Sequence, residues 1–253
     1  MVPLADVCAV EFRASNAWPA WRVHRIDGWQ VRHSPGIDNR RANSVLPIGP
    51  LIHEPVPSAI DQVETFYRGH DLPARFMISP ACVPADLDRV LEGRGYHIDA
   101  STDVQWALLG NSPDLQNVRY DTRIERAPDD GWMGIYMEGV EDVSQITGKR
   151  QLLSRITSER VFVQISIDGR PVSVGLGVFD NPWTGVFCMH TLHEYRQQGF
   201  AKSVLAEIAH WSRKMKGDAM YLQVERCNPV ARKFYEQSGF QTRYGYHYRT
   251  RKS

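Results

Sequence analysis

The stretch HTLHEYRQQGFAKSVL, residues 190–205, decides how this chain is read. An apolar run ends at Thr191-Leu192, a polar loop turns through Arg196-Gln197-Gln198-Gly199, and a long helix starts at once. Phe200, Val204, Leu205, Ile208, Trp211 and Met215 fall at helical spacing, and Gly217 stands where a C-terminal cap belongs. The first turn of a helix leaves backbone N–H groups unpaired, and the macrodipole adds roughly half a positive charge there. Such a turn suits phosphate oxygens without dedicated side chains. Gly199 lets a ligand approach the backbone, and Ala201 keeps the next turn unobstructed. Taken alone, the pattern equally fits a plain strand-to-helix turn.

Upstream, VRYDTRIER (118–126) is expected as a strand, and DDGWMGIYMEG (129–139) and SQITGKRQLLSRI (144–156) as short helices. VFVQISI (161–167) and VSVGLGVFD (172–180) flank the turn former Asp168-Gly169-Arg170-Pro171 as a hairpin, and TGVFCMHTL (184–192) is a third strand. Downstream, MYLQVER (220–226) is a strand, and Asn228-Pro229 opens a helix that Gly239 closes. FQTRYGYHYRT (240–250) alternates as one or two final strands. The order is α/β, or α+β, around a mixed sheet.

A chain of 253 residues suggests two domains. The passage from an apolar run through Asn111, Ser112, Pro113 and Asp114 places the junction near residue 113, giving domains 1–112 and 113–253. Thirty basic against twenty-nine acidic residues give no electrostatic footprint for nucleic acid or an anionic membrane, so neither is an expected partner. Cys8, Cys82, Cys188 and Cys227 form no CxxC pair, which argues against a disulfide framework and against a metal site. The N-terminal run MVPLADVCAVEF has no basic leader, and no stretch approaches the ~18 apolar residues of a membrane span. A cytoplasmic protein is expected.

A second motif turns the glycine loop into a specific signal. Arg196 to Ala201 resembles the R/Q-x-x-G-x-G/A coenzyme-A loop of the GNAT superfamily, and Asn228-Pro229-Val230-Ala231-Arg232-Lys233-Phe234-Tyr235-Glu236-Gln237-Ser238-Gly239-Phe240 is similar to that family's N-x-x-A-x-x-F-Y-x-x-x-G-F helix. The resemblance covers about residues 118–248. It implies the GNAT acyltransferase fold in the C-terminal half, with a sheet splayed between its fourth and fifth strands, and acetyl-CoA as cosubstrate of an N-acetyltransferase. It also implies that Met189, His190 and Thr191 run beside the pantetheine, and that one of their N–H groups polarises the thioester. Arg196 opens the loop, and the amides of Gln197, Gln198, Gly199, Phe200, Ala201 and Lys202 hold the pyrophosphate. Asn228 bonds the pantetheine arm, and Tyr235 stands near the sulfur as proton donor. A phenol titrating near 10 stays protonated at neutral pH and suits a departing thiolate; the other reading of Tyr235 is a packing aromatic.

An alkyl ammonium with pKa ~10.4 lies more than three units from its nucleophilic form at neutral pH, a cost of about 4–5 kcal/mol. A base is therefore expected. Glu225, on the strand before Asn228, and His190 are the candidates; a water chain is the alternative, because Thr184-Gly185-Val186 lacks the carboxylate that some family members carry there. His190 and His193 also fit satisfied structural histidines.

The first half repeats the order with strands WRVHRI (21–26) and GWQVRHS (28–34), helix SAIDQVETFYRGH (58–70), strand ARFMIS (74–79) and helix PADLDRVLEGRGY (84–96). Its last helix closes at Gly95-Tyr96 as the other closes at Gly239-Phe240. Where the glycine turn would stand lies LPIGPLIHEPVPSAI, whose prolines remove N–H donors. This half reads as a degenerate GNAT-like repeat that binds no cofactor. Arg40, Arg41, Asn43 and Ser44, with Trp18, Trp21 and Trp29, either line an acceptor pocket or form a solvated turn and core tryptophans. Trp132 and Tyr136 are the acceptor-site candidates, and core packing explains them nearly as well. The expected reaction is direct acetyl transfer, in a ternary complex, to a small-molecule or peptide amine. A non-catalytic acyl-CoA sensor is the alternative.

Overall fold

The computed structural model describes residues 2–37, 39–110 and 120–251. In chain order the elements are α1 (Leu4–Ala17), β1 (Arg22–Ile26), β2 (Trp29–His33), β3 (Val45–Leu46), α2 (Val56–Arg68), β4 (Ala74–Ile78), α3 (Leu87–Gly93) and β5 (His97–Leu108). Then follow β6 (Asp121–Glu125), α4 (Asp130–Tyr136), α5 (Val143–Ser154), β7 (Glu159–Ile167), β8 (Arg170–Asp180) and β9 (Trp183–Thr191). The chain closes with α6 (Phe200–Lys214), β10 (Ala219–Glu225), α7 (Pro229–Gln237) and β11 (Gln241–Arg251). The described chain packs as two units, one gathering residues up to Val104, Gln223–Pro229 and those from Thr242 onward, the other Gln105–Leu222 and Val230–Gln241. The junction expected near residue 113 lies outside the described residues.

In the first unit the strands run in the order β1-β2-β3-β4-β11-β5, with β3 parallel to β4 and β11 antiparallel to it. The C-terminal strand, expected among the C-terminal elements, thus packs here. Trp29, Val31, Ile60, Val63, Phe76, Leu87, Leu91 and Tyr96 form the core between sheet and helices α2 and α3. Trp29 is wholly buried, with its indole N–H on the Val83 carbonyl at 2.8 Å, so of the two readings of this tryptophan the core one holds. Asn43 and Ser44 are structural as well: Asn43 accepts from the Ser34 N–H at 2.7 Å, and Ser44 accepts twice from the buried Arg32 guanidinium at 3.1 and 2.8 Å.

In the second unit the order is β10-β9-β8-β7-β6, antiparallel except for the parallel β9–β10 pair. Asp168 and Gly169 both take positive φ, 50° and 76°, the two-residue geometry that matches the twist of a hairpin. Helix α6 buries Phe200, Val204, Leu205 and Ile208, as its spacing predicts. Its cap differs by one residue from the expectation. Lys216 takes the left-handed conformation at φ 61°, donating to the Arg213 carbonyl, while Gly217 donates to the Ser212 carbonyl at 2.8 Å, which closes a Schellman motif. Gly217 is needed for space: a Cβ there would lie 2.4 Å from Ser212 Oγ.

Helices α3 and α7 end alike, each in its own unit. Tyr96 N–H reaches the Leu91 carbonyl at 3.1 Å with Gly95 at φ 83°, and Phe240 N–H reaches the Tyr235 carbonyl at 3.0 Å with Gly239 at φ 89°. The expected likeness of the two helix ends is therefore a likeness of geometry.

Helix α1 was not expected, because Glu11 interrupts the apolar face Val7, Val10, Ala14, Ala17. Glu11 is itself buried, and the Tyr244 hydroxyl donates to it at 2.7 Å. Burial pushes its carboxyl up to about 7, against a smaller opposing pull from Tyr244, Arg41 and Arg32. In the unfolded chain the group titrates near 4.5, so between those values the folded state holds the extra proton. Its contribution is present below about pH 4.5 and is lost as pH rises to about 7. Glu11→Gln keeps an oxygen for Tyr244 and removes the titration. Urea unfolding at pH 5 and pH 8 is expected to show the variant gaining on the parent by up to about 3 kcal/mol at the higher pH. A difference that does not change with pH would show that Glu11 ionises in place.

Candidate active site

Strand β9 carries the site. It pairs in parallel with β10 only at Trp183↔Ala219, Thr184↔Met220 and Gly185↔Tyr221, and Val186–Thr191 runs on past the last of these. This is the opening that the sequence resemblance implies between the fourth and fifth strands of the C-terminal half. On its other edge β9 pairs with β8, where the register slips: Val174 faces His190 and Leu176 faces Phe187, so Gly175 alone faces two residues. The extra residue is Cys188, held at φ 53°, and such a bulge bends the strand and re-aims the groups beyond it. Gly175 makes the bend possible. A Cβ there would lie 2.5 Å from Val204 Cγ1 and 2.6 Å from Met189 Sδ, so the side chain of Met189 fills the space that a residue at 175 would need.

Met189, His190 and Thr191 are half-buried along this free stretch. The Thr191 hydroxyl meets that of Ser173 at 2.8 Å, and the Thr191 carbonyl accepts from Arg196 Nε at 3.1 Å, so Arg196 folds back over the strand end. Gln197 at φ 61° and Gly199 at φ 90° then turn the chain into α6. No side chain caps α6, which leaves its first-turn N–H groups, those of Phe200, Ala201 and Lys202, for water or an anion. The Phe200 ring is buried against Tyr120 at 4.8 Å and Tyr195, which pins the helix start while Gln197, Gln198, Gly199 and Lys202 stay exposed. Met189–Thr191 and the 196–202 turn thus come together in the second unit.

Tyr235 belongs to the same unit. It is half-buried on α7, edge-on to Phe240 at 5.9 Å, and its hydroxyl has no partner among the described residues. Burial pushes its phenol above the ordinary value. Glu225 and Asn228 lie in the first unit, both exposed. Glu225 is held by Arg40 at 3.4 Å, which also binds Asp99 at 2.9 Å, and the Cys227 thiol donates to it at 3.4 Å. Trp132 is fully buried, with its indole N–H on the Val163 carbonyl at 3.1 Å and its ring edge-on to Phe162. It is a core residue whose polar atom is already used. Tyr136, half-buried and tilted on Trp132 at 5.3 Å, is the more accessible of the pair.

Two features escaped the sequence reading. One is the left-handed Cys188, for which Gly175, the glycine facing it across the strand pair, was the available sign. The other is Glu138, whose carboxylate lies 2.7 Å from His190 Nε2. His190 holds the Glu138 carboxyl below the usual carboxylate range, assisted by Arg196 and the His193 N–H.

A mixed sheet whose strand bends away after a bulge and runs into an uncapped glycine turn is the arrangement that the resemblance to the GNAT superfamily implies, and the comparisons with known proteins support a GNAT-type acetyltransferase. The chain belongs to the family described as probable histone acetyltransferase Rv0428c C-terminal, which matches residues 4–249. It is 25% identical over 253 residues to an uncharacterized N-acetyltransferase, YobR, of Bacillus subtilis, covering 98% of this chain and 99% of that one. The fold is shared with a GCN5-related N-acetyltransferase from Kribbella flavida, at TM-score 0.72 and 15% identity over 100% of this chain and 97% of that chain. It also resembles a tandem GNAT protein from the clavulanic acid biosynthesis pathway, at TM-score 0.62 and 11% identity over 77% and 69% of the two chains. Among the described residues no helix is long and apolar enough to cross a membrane, and no three His, Cys, Asp or Glu residues gather where they could hold a metal ion.

The bulge makes a prediction of its own. Gly175→Ala must displace Met189 or Val204, and overpacking of this kind costs about 1–3 kcal/mol. Thermal unfolding is expected to show that loss, with Gly177→Ala, facing Ile208 Cγ2 at 2.8 Å, as the comparison that spares Met189.

Proposed function

We propose that the protein transfers an acetyl group from acetyl-CoA to a primary amine by direct attack within a ternary complex. The observation that supports this best is the junction of β9 with α6, where a free strand edge leads into an uncapped helix N-terminus through two left-handed residues. The strand edge suits the amide-rich pantetheine arm, and the helix turn suits the pyrophosphate. Backbone N–H groups of Met189–Thr191 polarise the thioester carbonyl, and charge stabilisation of this kind is the largest single contribution in many acyl transfers. Tyr235 protonates the leaving thiolate. Its phenol is pushed up, so it is fully protonated at neutral pH, and the same desolvation makes a thiolate beside it more basic. The roles of Asn228 at the pantetheine arm and Tyr136 at the acceptor are supported by sequence alone, as is Glu225 as one of the two candidates for the base.

The first half is a degenerate copy of the second in this reading. The repeated order of elements and the matching ends of α3 and α7 support it. Helix α2 starts behind Pro55 with Pro57 in its first turn, so one of its three first-turn donors is missing where α6 presents all three. These features support a cofactor on the second unit.

Release of coenzyme-A thiol with a panel of amines tests the activity; tight acetyl-CoA binding without thiol release would instead identify a sensor. Gly199→Glu is expected to reduce acetyl-CoA binding below detection by calorimetry while the protein stays folded, because it sets a carboxylate at the pyrophosphate position and a side chain at φ 90°. Wild-type affinity would remove the pyrophosphate from this turn. Tyr235→Phe is expected to lower turnover by roughly 10²- to 10³-fold with little change in acetyl-CoA affinity. A kcat within about twofold of wild type would make Tyr235 a packing aromatic.

A further inference from the structure

We propose that His190 is the general base of the second unit and that Glu138 sets its tautomer. This rests on the reading that an acetyl group passes to an amine at the free edge of β9. Met189 turns toward α6, as its approach to Gly175 and Val204 shows, so the next side chain along the strand, His190, lies on the opposite face. There it meets Glu138, two residues beyond the end of α4, at 2.7 Å. The charged groups around the pair are Glu138 itself and Arg196, with the His193 N–H on the same carboxylate.

A carboxylate is an acceptor only, so the hydrogen at that contact sits on His190 Nε2. The neutral ring then carries its lone pair on Nδ1, which has no partner among the described residues. Glu138 thereby fixes which nitrogen is the base, and it stabilises the imidazolium once a proton arrives. Imidazole is the side chain whose ordinary titration lies nearest neutrality, which suits a base that must be free at pH 7 and still hold a proton. Glu225, by contrast, is engaged by the Arg40 guanidinium at 3.4 Å.

The step balances. Nδ1 takes one proton from the acceptor ammonium, and the freed lone pair forms the C–N bond to the thioester carbonyl. The C–S bond breaks as the tetrahedral intermediate collapses. The second proton leaves nitrogen for solvent, and the thiolate is protonated from Tyr235, which regains its proton from solvent. His190 is the catalytic residue here and Glu138 a positioning residue.

The test measures coenzyme-A thiol release between pH 6 and 10 with spermidine, free lysine and a lysine-containing peptide as acceptors, and with hydroxylamine, which is already unprotonated at pH 7. His190→Gln is expected to lower kcat by roughly 10²- to 10³-fold at pH 7, with the deficit shrinking toward pH 10 and shrinking to a few-fold with hydroxylamine. Glu138→Gln is expected to lower kcat by roughly tenfold or more, because an amide no longer fixes the hydrogen on His190 Nε2, and to leave KM for acetyl-CoA within about twofold. An unchanged pH profile in His190→Gln, or a deficit equal for hydroxylamine and the alkylamines, would overturn the assignment while leaving acetyl transfer intact. A wild-type protein that binds acetyl-CoA yet acetylates none of these acceptors would overturn the transfer reading, and the base with it.

Discussion

Strand β9 loses its partner strand after Gly185, and the chemistry proposed for the second unit depends on that loss. A strand edge with unpaired N–H and C=O groups is costly unless something satisfies them. Here part of the edge is satisfied internally, by Arg196 Nε on the Thr191 carbonyl. Glycines set both ends of the open stretch. At Gly185 a Cβ would lie 2.7 Å from Tyr221 Oη and 2.8 Å from Phe187 Cζ, so the side chains of Tyr221 and Phe187 fill the space that a residue there would need. At Gly199 the left-handed turn delivers the chain into α6. Between them the Cys188 bulge shifts the side-chain alternation, which sends Met189 toward α6 and His190 to the opposite face.

The first unit solves a different problem, that of burying polar groups. Arg32 is fully buried and finds neutral acceptors: the Ser44 carbonyl and hydroxyl, and the Met77 thioether. Removing a guanidinium from water costs several kcal/mol unless hydrogen bonds and charge offset it. Burial accordingly lowers its pKa, while Glu11 and the tyrosine hydroxyls act in the opposite sense. Glu11 brings α1 into this network through Tyr244 on β11, joining residues from the two ends of the chain. Such a network favours one placement of α1 and β11 over others that bury the same apolar area, since any other would strand a desolvated charge.

The legible part of the sequence was the part with strong periodicity or strong turn chemistry. Helix α6, the Asp168-Gly169 hairpin, and the helices closing at Gly95 and Gly239 were all readable, because glycine and spacing mark them. Helix α1 was hidden by Glu11, a charge in the middle of an apolar face, which becomes intelligible only once Tyr244 is beside it. Strand β5 was hidden similarly: HIDASTDVQWAL carries Asp103 and Gln105 at buried positions, and Asp103 is stabilised there by Arg226, far away in sequence, at 2.6 Å. At the site, the Gly199 turn was readable from local residues. The His190–Glu138 contact was not, because it joins a strand to a loop 52 residues earlier, and no periodicity links the two.

The two halves also show why similar elements need not do the same work. Helices α2 and α6 both follow a strand with only a short parallel pairing, and both bury an apolar face, yet they begin differently. Helix α6 opens behind Gly199 with free amides, whereas α2 opens between Pro55 and Pro57, where each ring replaces an N–H. A pyrophosphate at α2 would meet a proline ring in place of one of the three amides that α6 offers. The same contrast holds at the following helices. Both end in a left-handed glycine with an aromatic residue next, but Tyr96 is buried with its hydroxyl on Glu64 at 3.0 Å, while Tyr235, one turn before Gly239, keeps its hydroxyl free. A phenol already bonded to a carboxylate has its proton committed; one packed by its ring alone can give the proton to whatever arrives. Under the proposed reading, helices that end alike differ in which N–H and O–H groups near them remain for acyl transfer to use.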